Sequence, residues 1–373
     1  MTTAETGPFD RIRRTLASQV PVWNADEEST LVCRAVRAET HDVKTFVLSA
    51  EEPRRFVFDP GQFLTFELQI AGETLHRSYT IASPPTRPFT VEVTIKRVPG
   101  GVVSNWFHDA VVPGMRLEVA LPMGDFTFAR HPSEKYLFLS AGSGVTPLAS
   151  MTRTLHDLGD GRDVIFVHAA RSPADIVFRD ELAVMARRAA NLRVAHLCSA
   201  DAPLEAWPGL KGRLSPEKLR EIAPDFADRE VFVCGPKPFM ERAKEILLSL
   251  GHDPERHHEE SYVFEDLTAE TPPTSPVEEA GSSSAVTLHR VEFARTKRVI
   301  ECPEDMPILE AARRAGVRLP SSCAKGVCGT CKSKVLSGTY VQDPVGGIRP
   351  REVAAGMALL CSSRPTSDLV VDR

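Results

Sequence analysis

KYLFLSAGSGVTPLASMTRTLHDL, residues 135–158, reads as an apolar strand, a glycine turn and a helix in immediate succession. The strand is apolar on both faces, and Gly142 and Gly144 let the chain turn tightly. The following helix then presents its amino-terminal amides above the strand end. The texture recurs as VIFVHAA with FRDELAVMARRAA, and as VFVCGP with KPFMERAKEILLSLG. Strand and helix in alternation predict a parallel sheet with helices on both faces.

Upstream, between 29 and 128, the pattern differs. VKTFVLSA, FLTFELQI, HRSYTIAS, FTVEVTIKRV and RLEVALPM alternate with period two and are rich in β-branched and aromatic residues. This predicts a small antiparallel sheet or barrel. Downstream, residues 267–285 (LTAETPPTSPVEEAGSSSA) hold three prolines, four serines, one leucine and no aromatic residue. Such a stretch cannot bury a core and reads as a linker, spanning on the order of 24 Å as a flexible coil. Residues 286–373 then give the strands VTLHRVEFA and KRVIECP, the helix PILEAARRAG, a cysteine loop and further short strands. The domain boundaries read from these changes are an amino-terminal extension (1–28), a barrel (29–130), an α/β domain (131–266), the linker (267–285) and a carboxyl-terminal domain (286–373).

Composition limits the function classes. The 373 residues are 42% hydrophobic and 25% charged with net charge −5, which excludes a disordered chain and a nucleic-acid binder driven by bulk charge. No apolar run of eighteen residues occurs and the first residues lack an apolar signal core, so the expected location is cytoplasmic. No serine–histidine–acid or paired-carboxylate arrangement stands out, and no hydrolytic chemistry is assigned.

Of eight cysteines, Cys323, Cys328 and Cys331 crowd into nine residues, with Cys361 thirty positions on. C-x4-C-x2-C…C is the spacing of plant-type [2Fe-2S] ferredoxins, in which each of two bridged irons takes two thiolates. Gly326 and Gly329 suit a loop that bends tightly and points amides at sulfur. Zinc is the competing metal, although its sites usually pair C-x2-C knuckles. Cys33, Cys198 and Cys302 receive no role. The adjacent His257 and His258 cannot share one face of a helix or strand and are expected at the surface.

Two further constellations suit nucleotide cofactors. His76-Arg77-Ser78-Tyr79-Thr80 lies on a barrel strand, with Arg77 and Tyr79 on one face and Thr80 on the other. An arginine suits a phosphate, a tyrosine offers a ring, and a small hydroxyl can bond a flavin nitrogen. Gly100-Gly101-Val102-Val103-Ser104 then opens a helix, as a pyrophosphate site does. In the α/β domain, Gly142, Gly144, Thr146 and Pro147 follow one strand and Cys234-Gly235-Pro236 ends another.

These residues resemble the ferredoxin–NADP reductase superfamily carrying a carboxyl-terminal plant-type ferredoxin domain. Its flavin motif R-x-Y-[ST] matches Arg77, Tyr79 and Thr80, and its dinucleotide motif G-x-x-[ST] matches Gly101 and Ser104, so the resemblance implies FAD. It also implies that the Gly142–Pro147 turn cradles the nicotinamide dinucleotide and that Cys234 lies beside the nicotinamide. Near the flavin, Glu260 and Tyr262 stand where relatives carry an acidic-aromatic ending. Cys234, Thr80 and Glu260 are the catalytic candidates. The implied folds are a β-barrel, a parallel α/β domain and a β-grasp ferredoxin domain. Over nearly the whole chain, runs such as HRSYTIAS, CAKGVCGTCK and GGIRPREVAAGMALLCS are similar to the reductase components of Rieske-type oxygenase systems for glycine betaine and related quaternary ammonium compounds.

The resemblance implies electron flow from NADH through FAD and [2Fe-2S] to a Rieske-type oxygenase partner. Arg171 is a basic residue that could hold a 2′-phosphate, yet CSADAPLEAW after the following strand offers no positive cluster, and the resemblance favours NADH. Alternative acceptors are a hybrid-cluster protein or an aromatic-ring oxygenase. An iron–sulfur sensor would need no complete nucleotide half. A flavin reductase acting directly on a small molecule would survive loss of 286–373.

Overall fold

Residues 20–25, 28–261, 287–317, 319, 326, 331–343, 348 and 350–373 are described in a computed structural model. They group into two compact units. The first takes the chain up to Leu64 with Tyr79–Arg97 and Ser104–Glu260; the second takes Thr65–Ser78, Val98–Val103 and the residues from Ser261 onward. The 267–285 linker lies outside the described residues.

Six strands, β1 (Thr30–Thr40), β2 (Val43–Ser49), β3 (Phe63–Ile70), β4 (Glu73–Thr80), β5 (Val91–Lys96) and β6 (Arg116–Val119), form one sheet in the order β4-β3-β6-β1-β2-β5. Helix α1 (Val102–Ala110) lies between β5 and β6 in the chain. Alternation buries Leu31, Phe46, Leu48, Val91 and Val93 completely, the inward half of each period-two pattern. Just past β4, Ile81 pairs with Val93, and the Ala82 amide donates to the Glu92 carbonyl at 2.7 Å. The sheet's two outer strands therefore meet, as a barrel requires. β1 was not among the strands expected from sequence. Its TLVCRAVRAET run carries register shifts at Cys33/Ala35 and Ala38/Thr40, and each bulge breaks the period-two signal.

The second sheet follows the expected alternation: β7 (Lys135–Ala141), α2 (Val145–Leu158), β8 (Asp163–Ala170), α3 (Arg179–Arg188), β9 (Leu192–Cys198), β10 (Leu210–Lys211), α4 (Pro216–Ile222), β11 (Glu230–Gly235), α5 (Lys237–Ser249) and β12 (His257–Ser261). Its order is β10-β9-β8-β7-β11-β12, and the pairs β10/β9, β9/β8, β8/β7 and β7/β11 are all parallel. Chain direction across the sheet reverses between β7 and β11. Open α/β sheets bind ligands at the carboxyl ends of the strands flanking such a reversal. Helix α2 ends where Gly159 adopts φ +63, its amide closing on the His156 and Leu155 carbonyls.

One face of this sheet packs Leu137, Leu139, Ile165, Val167, Val231 and Val233 against Leu219, Met240 and Ile246. The other face carries two lateral rows fixed by the parallel register. Phe232, Phe138 and Phe166 form the lower row; Cys234, Ser140, His168 and His196 lie above it toward the carboxyl ends. Ser140 Oγ meets His168 Nδ1 at 2.9 Å, whereas His168 Nε2 has no hydrogen-bond partner among the described residues.

Burial, with the charge of His196, holds His168 down to about 3, and burial with Arg179 holds His196 down to about 4. Both values lie below the unfolded value of about 6.5, so the unfolded chain binds more protons below that pH. Stability is complete above about pH 6.5 and falls as the pH drops through it, by up to about 1.4 kcal/mol per pH unit for each histidine. The urea midpoint of the nucleotide domain is expected to drop between pH 7.5 and 5.5, a range above most carboxylate titration, and His168→Gln should flatten the slope. A midpoint constant over that range would show that these histidines are not buried neutral.

In the second unit, β13 (Leu288–Phe293), β14 (Arg298–Pro303), α6 (Ile308–Arg314), β15 (Lys332–Ser337), β16 (Tyr340–Gln342), α7 (Pro350–Ala354), β17 (Met357–Leu359), β18 (Ser363–Pro365) and β19 (Leu369–Val371) form a five-stranded sheet, β14-β13-β19-β15-β17, and a β16-β18 pair. β13 runs antiparallel to β14 and parallel to β19. Ile308, Leu309, Ala311 and Ala312 of α6 pack with Val291, Phe293, Leu359 and Leu360, and Cys331 and Cys361 belong to the same core. Among the described residues no helix is long and apolar enough to cross a membrane.

Candidate functional site

The switch point brings together two motifs that lie ninety residues apart in sequence. Gly142 takes φ +54 and begins the turn after β7. A Cβ at Gly144 would stand 2.3 Å from the Cys234 carbonyl oxygen and 2.5 Å from the Gly235 amide nitrogen. Only glycine allows the turn to lie directly on the Cys234–Gly235 peptide. Thr146 is 4% exposed and donates its hydroxyl to the Ser143 carbonyl at 3.1 Å. Pro147 is buried in the first turn of α2, where its missing amide costs nothing, and Pro236 is exposed ahead of α5.

Cys234 is fully buried, and burial together with the Glu260 carboxylate pushes its thiol well above the ordinary range. It is therefore a neutral thiol near neutral pH, suited to packing against a ligand rather than to nucleophilic attack. The structure thus places Glu260, at the end of β12, within electrostatic reach of Cys234. Tyr262 lies outside the described residues.

The flavin candidates fall partly in each unit. In the first, Thr80 is 3% exposed at the end of β4, Ser104 is buried in α1, and the Tyr79 ring stands edge-on to Phe107 at 5.4 Å. That contact helps fix the orientation of the phenol ring. In the second, Arg77 Nη1 donates to the His76 carbonyl at 2.7 Å, while Ser78 and Thr65 share a hydroxyl hydrogen bond of 2.8 Å. Gly100 takes φ +74 and the Gly101 amide closes on the Val98 carbonyl. Val102 is exposed and Val103 buried, so the first turn of α1 is anchored on one side. A half-buried aromatic ring with a small hydroxyl, and a guanidinium near a glycine turn, are the residue types that suit a flavin dinucleotide.

For the cluster, Cys331 Sγ and Cys361 Sγ lie 3.0 Å apart with no disulfide between them. The Gly326 amide, at φ +74, donates to Cys361 Sγ at 3.2 Å, and the Cys361 amide donates to Cys331 Sγ at 3.4 Å. Amides aimed at sulfur stabilise thiolate, the form a metal cluster needs. This donor set fits the expected cluster. Cys323, Cys328 and Gly329 lie outside the described residues. Cys198 and Cys302 are buried, with thiols pushed up to about 11 chiefly by burial, and behave as small apolar residues.

The surface assignment of His257 and His258 is corrected. His257 is 6% exposed. His258 stacks on His131 with ring centroids 3.6 Å apart and meets Glu230 Oε1 at 2.6 Å. The three residues gather ligand-type atoms within 4.8 Å. Face-to-face imidazoles hold their nitrogen lone pairs side by side rather than converging, so this arrangement is a stacked, hydrogen-bonded cluster at the amino-terminal edge of the sheet. Sequence reasoning missed it because β12 follows a short turn that reads as loop.

This architecture defines a flavin- and pyridine-nucleotide-binding oxidoreductase fused to an iron–sulfur domain. Residues 31–128 match the oxidoreductase FAD-binding domain, 138–245 the oxidoreductase NAD-binding domain and 291–366 the 2Fe-2S iron-sulfur cluster binding domain. The chain is 42% identical over 349 residues to the glycine betaine monooxygenase reductase subunit of Pseudomonas aeruginosa, covering 91% of this chain and 94% of that one. It is 36% identical to the stachydrine N-demethylase reductase subunit of Rhizobium meliloti, covering 95% and 98%. The fold matches phthalate dioxygenase reductase with TM-score 0.56 at 24% identity, over 94% of this chain and 100% of that one. The chain belongs to this family of FAD-, NAD- and [2Fe-2S]-binding reductase subunits.

Proposed function

We propose that this chain is the NADH-dependent reductase of a Rieske-type non-haem iron oxygenase acting on glycine betaine or a related quaternary ammonium compound. The observation that carries the reading is the 42% identity, sustained across all three domains, to a glycine betaine monooxygenase reductase subunit. When bound, FAD converts the two electrons of a hydride into single transfers, and the [2Fe-2S] cluster passes on one at a time. Residues 29–130 would hold FAD through Arg77, Ser78, Tyr79 and Thr80 and through the Gly101–Ser104 turn. Residues 131–266 would hold NADH through Gly142, Gly144, Thr146, Pro147, Cys234, Gly235 and Pro236, with Glu260 and Tyr262 closing the site. Residues 286–373 would hold the cluster through Cys323, Cys328, Cys331 and Cys361, chemistry that suits the reducing cytoplasm.

The purified holoprotein, mixed with NADH and a glycine betaine oxygenase component, should support demethylation. Product formation only with an aromatic-ring oxygenase or a hybrid-cluster protein would move the acceptor to that class.

Charge pairing supports NADH over NADPH. Arg171, the residue just after β8, is held by Asp175 and by Asp42 at 3.1 Å. Arg179 is paired with Glu205 at 2.6 and 2.9 Å, and Lys211 with Asp201 at 2.9 Å. A 2′-phosphate near these strand ends would have to break such a pair and face its carboxylate. The expected kcat/KM ratio favours NADH by at least about tenfold, equivalent to about 1.4 kcal/mol. The double substitution Asp42→Asn with Asp175→Asn, which frees Arg171, should narrow that ratio. Equal use of both nucleotides by the wild type would contradict the assignment.

A further inference from the structure

Helix α2 begins at the nucleotide turn and, one face along, grips the barrel just beyond Thr80. Ser150 Oγ donates to the Ser83 carbonyl at 2.8 Å. Asp157 accepts from Thr86 Oγ1 at 2.6 Å and from Arg87 Nε and Nη2, each at 2.9 Å. Between them, Arg153 is 3% exposed. Its Nη1 donates to the Ala82 carbonyl at 2.6 Å, and its Nε and Nη2 form a fork on Glu181, the former at 2.9 Å. Its guanidinium carbon lies 4.3 Å from the ring centroid of Phe178.

We infer that Arg153 is a positioning residue for hydride transfer, setting the placement of the Thr80 strand end relative to the Thr146 turn through its bonds to Ala82 and Glu181. Ala82 is two residues past Thr80 and sits where the barrel closes. Arg153 is seven residues past Thr146, about 10 Å along one rigid helix. Two of its features exceed what packing requires. An apolar side chain would fill the space without the cost of burying a charge, but only a planar fork fixes both distance and angle. Phe178 also adopts φ +58, a conformation unfavourable for a non-glycine residue, at the amino terminus of α3 with its ring under the guanidinium. Burial raises the Glu181 carboxyl, but the hydrogen bond and charge of Arg153, with Arg87 and Arg37, outweigh it and hold the group below its ordinary value. The fork is therefore charged at neutral pH.

This inference rests on the reading of Thr80 as a flavin residue and Thr146 as a nucleotide residue. The test uses the full-length holoprotein as wild type, Arg153→Met, Arg153→Lys and Glu181→Gln. Four quantities are measured: FAD content, unfolding temperature, the long-wavelength absorbance of the NADH–flavin complex on rapid mixing, and the rate of flavin reduction. Arg153→Met is expected to retain FAD, lose most of the long-wavelength absorbance and slow reduction about 10- to 100-fold. Its KM for NADH should change much less. Arg153→Lys should restore part of the rate, and Glu181→Gln, which keeps the shape and weakens the fork, should fall between. If absorbance and rate are unchanged in Arg153→Met, or if both losses in every variant merely follow FAD release, the positioning role is wrong. If Arg153→Met does not fold, an unchanged absorbance and rate in folded Glu181→Gln overturns it equally. Failure of the wild type to bind FAD or to be reduced by NADH would instead overturn the underlying reading.

Discussion

Replacing Cys328 with serine is expected to abolish NADH-driven oxygenase turnover, by more than about a thousandfold, while ferricyanide reduction stays within about twofold of wild type. Serine cannot supply the thiolate that the C-x4-C-x2-C…C set requires, so cluster assembly should stop. The damage should concentrate in residues 286–373, because Cys331 and Cys361 belong to that domain's own core with Leu359, Leu360 and α6. All the residues proposed for flavin and nucleotide precede residues 267–285, the segment read from its composition as a linker. Ferricyanide accepts electrons directly from reduced flavin and needs no cluster. Paired assays on one preparation, with iron and FAD content measured alongside, check the result. Loss of both activities would mean that the domains do not fold independently, and survival of coupled turnover would mean that electrons leave from the flavin.

Cys234→Ala should leave FAD bound and slow flavin reduction by NADH about a hundredfold, which corresponds to about 2.7 kcal/mol in the barrier. The thiol sits at the sheet's reversal point, and its carbonyl is the surface on which Gly144 rests. Its neutral, buried sulfur is within electrostatic reach of Glu260, and under the proposed reading alanine would remove the wall against which the nicotinamide packs. The backbone contact with Gly144 is unaffected, so nucleotide affinity should change less than rate. Stopped-flow reduction at saturating NADH separates the two; an unchanged rate would remove Cys234 from the site.

Much of this was legible in the sequence because the decisive signals are local. The strand–glycine–helix run at 135–158 and the cysteine spacing each lie within a short window. What escaped detection depends on register. Cys234, Ser140, His168 and His196 form one row only because four parallel strands align, and no single window contains that information. Arg153 reads in sequence as an ordinary charged residue on an amphipathic helix; its burial follows from the barrel packing on that face. Helix α4 was missed because its seven residues are too few for a clear 3.6-residue period, although Ser215, whose hydroxyl accepts from the Lys218 amide, followed by Pro216 is a start signal.

The central claim is an ordered path from NADH through flavin to the iron–sulfur domain. An anaerobic titration of the full-length holoprotein with NADH, read by flavin absorbance and by low-temperature EPR, tests it most directly. The account predicts that flavin absorbance bleaches and that the paramagnetic signal of a reduced [2Fe-2S] centre grows in the wild type, with the second change absent in Cys328→Ser. Flavin bleaching in the wild type without any reduced-cluster signal would contradict it.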